Sequence, residues 1–439
     1  MAPFDRFRSA VVASGNFDRG YAVGTRVVRW VGAVGALAAV FVSAASGATN
    51  ANPPDATCQT NAVVRSIVYM NGVAYLAGDF TQVAPAGATM GGAGTVTRHG
   101  LAACNETTGA IMAWNPGVAG GSGRAYSLAH LGNTIYVGGN FTTLAGKPRH
   151  DIGAVTTAGV ATTFNPGASD TVYVVRVAPS GNIFAGGTFG TLAGKTHGRI
   201  GELTPAGTSV AWNPTVGQVT GAACPPRCHP VVFTIAFSGT TVYFGGHFGL
   251  VNGVSRNSAA AVSTGGTLLQ WNPNVFAAAN CPTCQTVETE RVYTLIPDPT
   301  TGEVYACGGF WQVNGNKRSF NLAAFNPTTG ALDPHFTVQD DGDTPGCALH
   351  SGILYFGGHF NYVGVGCQHS TVAPCFVYHH VAAANVVNNT VLAWNPGANS
   401  NHGIYTVRQD ATHVGFGGYQ SRFGGKQQEG YAAYSKTLP

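Results

Sequence analysis

One phrase recurs seven times along this chain of 439 residues, and few folds can accommodate it. Its clearest copy is IYVGGNFTTLAGKPRHDIGAV, Ile135 to Val155. An alternating apolar run closes on two glycines. A Phe, a glycine-containing loop, a basic residue and a second apolar run follow. Aligning the second glycine places the copies at Gly78, Gly139, Gly187, Gly246, Gly309, Gly358 and Gly418, 48 to 63 residues apart. A repeated unit that cannot bury its own apolar face must stack against its neighbours, so the core is expected to be shared along an array.

Each unit reads as four short strands. In the second these are AYSLAHL, TIYVGGNF, DIGAVTT and ATTFNP. Alternation over four to eight residues, bounded by Gly, Asn and Pro, marks a half-buried strand. No segment after residue 48 carries a helical period. Asn-Pro ends the fourth strand at Asn115-Pro116, Asn165-Pro166, Asn213-Pro214, Asn272-Pro273 and Asn395-Pro396. Proline has no N–H to give a ladder and belongs at a strand end. The expected fold is all-β: a seven-bladed β-propeller of four-stranded antiparallel blades.

The chain ends extend this reading. YAAYSKTLP stops at the third strand of the seventh unit, while ATNANPPDA near the start carries an unclaimed Asn52-Pro53. Residues 48–53 are therefore expected to supply the outer strand of the last blade and close the ring, covering its edges. Before them, Arg26 and Arg29 precede the apolar run Val31 to Val42. That run is short for a membrane span and fits the apolar core of a secretory signal. The expected division is a signal peptide over 1–48, with an uncleaved anchor as the alternative, and a propeller over 49–439. All ten cysteines follow the proposed cleavage point, as suits an oxidising compartment. The expected location is secreted or at the cell surface, and the expected state a monomer. A net charge of +4 without any Lys/Arg run gives no support for nucleic-acid binding.

GGNFTTLAGKPR, GGHFGLVNGVSR and GALDPHF together resemble the delta-60 repeat of secreted bacterial proteins, with a weaker resemblance to kelch repeats. The resemblance implies a propeller and export but no reaction. The fifth copy places Phe310 in the variable position and Trp311 where Phe is usual, and the seventh reads GGYQSRFGGKQQ.

Candidate sites come from comparing the units. A basic column, Arg98, Arg149, Arg256 and Arg318, is interrupted by His197, Tyr378 and Gln428. It is either a cationic rim for an acidic ligand or one arginine per unit bonding neighbouring carbonyls. The residue ahead of the Phe varies as Asp79, Asn140, Thr188, His247, Phe310, His359 and Tyr419, and its two histidines suit acid–base work or a metal. Cys224, Cys228, Cys281 and Cys284 form either disulfides or a zinc site. The other bridges are expected as Cys58–Cys104, Cys307–Cys347 and Cys367–Cys375. The sixth unit's insertion adds His369, Tyr378, His379 and His380, and Asp340, Asp341 and Asp343 offer oxygen ligands for calcium. No cofactor is implied. No nucleophile elbow, HExxH or phosphate loop is present; Glu288 and Glu290 are a carboxylate pair with nothing to position them.

The expected function is recognition of a protein, glycan or small ligand on the loop face that carries the cysteine loops and the sixth insertion. The alternatives are a propeller hydrolase or lyase of a polysaccharide or small cyclic substrate, and a structural envelope protein.

Overall fold

The computed structural model describes residues 54–218, 229–276, 290–315, 321–367, 375–400 and 402–436. The described residues are all-β, and no helix among them is long and apolar enough to cross a membrane. The expected leader and residues 48–53 lie outside them.

Among the described residues, seven of the antiparallel sheets follow one another along the chain with their strands in the order inner, middle, third, and smaller two- and three-stranded sheets form in the connections. The seven inner strands are Val64–Met70, Arg124–Leu131, Val172–Val177, Val231–Ser238, Arg291–Asp298, Gly346–His350 and Ile404–Gln409. Each inner strand packs on the next, and Ile404–Gln409 packs on Val64–Met70. This is β-propeller architecture. The expected fourth strand is reduced in most units to one bridge, such as Cys104 with Ile111 or Val155 with Ala161. Residues just past it pair instead with the connection between the middle and third strands of the next unit, as Val118 does with Leu144. Both kinds of connection thus share one face.

The apolar clusters lie between sheets. Where the first meets the second, Tyr75, Trp114, Leu128, Val137 and Phe141 are buried together. The glycine pair permits this approach. A Cβ on Gly186 would lie 2.7 Å from Val232 of the next sheet, and one on Gly187 would lie 2.0 Å from the Thr171 carbonyl oxygen. No side chain fits either gap.

Two register expectations are corrected. In the fifth unit Gly308, not Gly309, is the second glycine. Its N–H bonds Asn321 O, as Gly139 bonds Asp151 O, and its Cβ would meet Arg291 O at 2.0 Å. Phe310 is therefore the fully buried repeat phenylalanine, and Trp311 lies beyond it. Gly309 takes the variable place, where the Asp343 carboxylate fills the space a side chain would need. At the chain start, the first described pairing residue is Asp55. Its N–H bonds Ala433 O, as Met112 bonds Ala103 O and Leu392 bonds Ala383 O. Asn52-Pro53 thus precedes the paired residue, whereas Asn115-Pro116 follows it. Hydrogen-bond register outweighs the dipeptide match.

Three disulfides, Cys58–Cys104, Cys307–Cys347 and Cys367–Cys375, join the expected partners. Cys224, Cys228, Cys281 and Cys284 lie outside the described residues.

Candidate functional site

The basic column is anchored to backbone. Arg98 donates to Thr97 O and Met112 O, Arg149 to Pro148 O and Thr162 O, and Arg256 to Ser255 O and Leu269 O. Where the column is not arginine, the substitute makes a similar clasp. The Tyr378 hydroxyl donates to Leu392 O at 2.6 Å, His197 Nε2 meets Ser209 Oγ at 2.9 Å, and Gln428 Nε2 donates to Cys58 O at 3.2 Å. In the six units where it is described, the column clasps the outermost segment to the sheet. Arg318 and His369 lie outside the described residues.

Two residues after the column the chain turns left-handed. Asp151, Arg199, Ser258 and His380 have φ of 61°, 73°, 59° and 66°. Asp151 Oδ1 accepts the Phe141 N–H, a contact repeated by Asn321 and Phe310. Burial raises the Asp151 carboxyl to about 6 and lowers the His380 imidazole to about 4.

Asp79, Asn140 and His247 of the variable column join neighbouring sheets. Asp79 forms a two-pronged pair with Arg65 and lies 3.5 Å from Arg124 of the next sheet. Asn140 donates to Thr171 Oγ1, and His247 Nδ1 meets Glu290 O, also in the next unit. His359 stacks on His380 at 6.1 Å, while exposed Tyr419 meets His402 edge-on. His379 is exposed and contacts Asn361. Nothing brings His247 and His359 onto a common point. The three aspartates are also separated in role. Buried Asp340 accepts from Asn321 and Thr344, Asp341 accepts the Asn361 and Tyr362 N–H groups, and Asp343 packs on Gly309. They do not converge as calcium ligands. Glu288 lies outside the described residues, and the Glu290 carbonyl serves His247.

The arrangement the sequence reading missed lies on the inner strands. In six sheets the inner strand bulges one or two residues after its start, as between Val172 and Val174. The extra residue is Arg65, Tyr126, Tyr173, Phe233, Tyr293 or Tyr405; Pro345 precedes the sixth strand. A bulge re-aims a side chain, and here it aims rings at one another. Tyr126 meets Tyr173 at 4.9 Å, Tyr173 meets Phe233 at 5.3 Å, and Phe233 meets Tyr293 at 5.3 Å. The Arg65 guanidinium lies 5.1 Å from both the Tyr126 and Tyr405 rings. The result is an aromatic collar with one cation built in. The freed N–H groups are satisfied by the preceding sheet: Leu128 donates to Ser66 Oγ and Val175 to Ser127 Oγ. The signal in sequence was an aromatic residue recurring just inside five of the seven first strands, followed by Ser or Thr in four of them.

Three residues further along the third and seventh inner strands, about 10 Å, come Arg176 and Arg408. Each turns its guanidinium onto its own strand's backbone, Nη1 donating to Val175 O and Val407 O at 3.0 Å. Among the described residues neither has an acidic partner. Burial and the Arg408 charge push Arg176 down to about 9, and burial lowers Arg408.

No known family matches the chain, and no curated protein matches it. Among solved structures it is similar to the computationally designed Ika8 protein, at 10% identity over 87% of this chain and 100% of that one, with a TM-score of 0.46. The WD40 β-propeller domain of Doa1 matches at 10% identity over 88% and 97%, TM-score 0.48. The extracellular domain of a one component system from B. thetaiotaomicron matches at 14% over 88% and 40%, TM-score 0.47.

Proposed function

We propose that this chain is an exported, monomeric seven-bladed propeller of delta-60-like units that acts by binding. Its ligand is a small molecule bearing a carboxylate or phosphate. The acidic group rests on Arg176 and Arg408, and the body of the ligand lies against the collar. The observation that carries this reading is that Arg176 and Arg408, both on inner strands, have no carboxylate partner among the described residues. Desolvating a cation is costly, and a bound anion removes that cost while supplying charge-assisted hydrogen bonds. Ring closure through residues 55–60 is supported by the Asp55 to Ala433 hydrogen bond and by Cys58–Cys104. Export is supported by the three disulfides and the apolar run before residue 48. Exposed Val365, Phe376 and Val377 beside Cys367–Cys375 favour a second reading, a protein or glycan partner on the same face.

Calorimetric titration of the disulfide-intact protein with a hexuronic acid, inorganic phosphate and the matching neutral hexose tests the ligand class. Saturable binding of an acid, weakened by salt and lost in the Arg176→Gln, Arg408→Gln double variant, is expected. Equal binding of the neutral hexose, or acid binding that survives the double variant, overturns it. Intact mass of the exported protein tests the leader, with a start near Thr49 expected.

A further inference from the structure

We propose a divalent-metal site where the first and last sheets meet, formed by Glu106, Asp410 and His413. Glu106 directly follows the third strand of the first sheet, Leu101–Asn105. Asp410 and His413 flank the tight turn between the inner and middle strands of the last sheet. That turn is held by Asp410 Oδ1, which accepts the Thr412 and His413 N–H groups. His413 Nδ1 lies 3.9 Å from Glu106 Oε2 and 3.8 Å from Asp410 Oδ1, and one ligand atom from each residue lies within 4.8 Å of the others.

A second observation separates this cluster from an ordinary acidic patch. The Glu106 side chain is only 8% exposed, yet its Oε1 is buried with no hydrogen-bond partner. A buried carboxylate oxygen left unpaired is costly, and a cation is the partner that would satisfy it. One imidazole with two carboxylates suits zinc or manganese better than magnesium or calcium. Bonds of about 2.0–2.2 Å require donors only slightly closer than they are here. Three protein ligands leave a position for water. Across the imidazole, Nε2 faces Asp55 Oδ2 at 3.9 Å, the usual place for the carboxylate that orients a metal-bound histidine. The Thr412 hydroxyl, 2.8 Å from Nδ1, is the contact an arriving ion replaces. Lys436 donates to the Asp410 carbonyl, leaving the carboxylate free of it. A bound ion would tie the first sheet, the last sheet and the N-terminal segment together at one point.

The test uses the full exported protein, stripped by chelation and shown to have no free thiol, so that cysteines cannot report as ligands. Calorimetry and thermal melting are followed with Zn²⁺, Mn²⁺ and Ca²⁺. One equivalent of Zn²⁺ or Mn²⁺, a rise in Tm, and at least about tenfold weaker binding in Glu106→Gln and His413→Gln are expected. Near-ultraviolet dichroism confirms that the variants are folded; should His413→Gln unfold, Glu106→Gln, which keeps shape and hydrogen-bonding capacity, decides alone. Absence of saturable binding, or binding unchanged in Glu106→Gln, overturns the proposal.

Discussion

Six junctions between sheets are built alike, and the junction of the first and last sheets is built differently. At the six, an aromatic residue of a middle strand meets one from the end of the unit edge-on: Tyr75 with Trp114, Tyr136 with Phe164, Phe184 with Trp212, Tyr243 with Trp271, Tyr305 with Phe336 and Tyr355 with Trp394. At the seventh both partners are gone. Gly415 stands where the other middle strands carry the ring, and the Tyr69 hydroxyl fills its space, 3.0 Å from the Tyr431 hydroxyl. Cys58, joined to Cys104, lies in that cluster, and no tryptophan does. A junction within continuous chain starts with its partners tethered. One that must recruit the N-terminal segment begins with a long loop to close, and a covalent bond offsets that entropy.

Breaking one junction of each kind measures the difference. Trp271 is fully buried, and Trp271→Ala is expected to cost up to about 5 kcal/mol in denaturant unfolding. Removing Cys58–Cys104 as a paired Ser variant is expected to cost about 4 kcal/mol, because its partners are 46 residues apart. Cys367–Cys375, spanning 8 residues, should cost nearer 2.5 kcal/mol. Equal losses for the two would remove the special standing of the closing junction. Tyr69→Phe leaves the buried Tyr431 hydroxyl without its partner and should lose about 1–2 kcal/mol, visible as a lower urea midpoint.

The smallest effect sharpens the rule for the regular units. Burial raises the Asp151 carboxyl to about 6, so the fold favours its neutral form. That contribution is complete below about pH 3.9, the unfolded value, and is lost as pH rises through about 6. Asp151→Asn, copying Asn321, should therefore raise Tm slightly at pH 7 and have no stabilising effect at pH 3.5. Thermal melts at both pH values check it.

Much of the fold was legible because it repeats. Glycines and apolar alternation write the same local geometry at each copy, Asn-Pro does so at five, and the three disulfide pairs follow the units they join. The fifth unit was misread because two glycines precede adjacent aromatics there, and only the bond from Gly308 N–H to Asn321 O separates Phe310 from Trp311. The candidate site was far less legible. His247, His359 and the aspartates were singled out by residue type, but His247 and the aspartates already serve a neighbouring sheet or backbone group and His359 stacks on His380.

Taken alone, the sequence determined that the chain is all-β, repeated seven times and held by disulfides, since such features depend on neighbours in the chain and recur. Tertiary structure alone decided which side chains meet at the centre and at the first–last junction. Arg176 and Arg408, or Glu106 and His413, are distant in sequence. A one-residue bulge or shift in register sets where a strand aims its side chains, and pairing between strands, rather than residue type, sets that register.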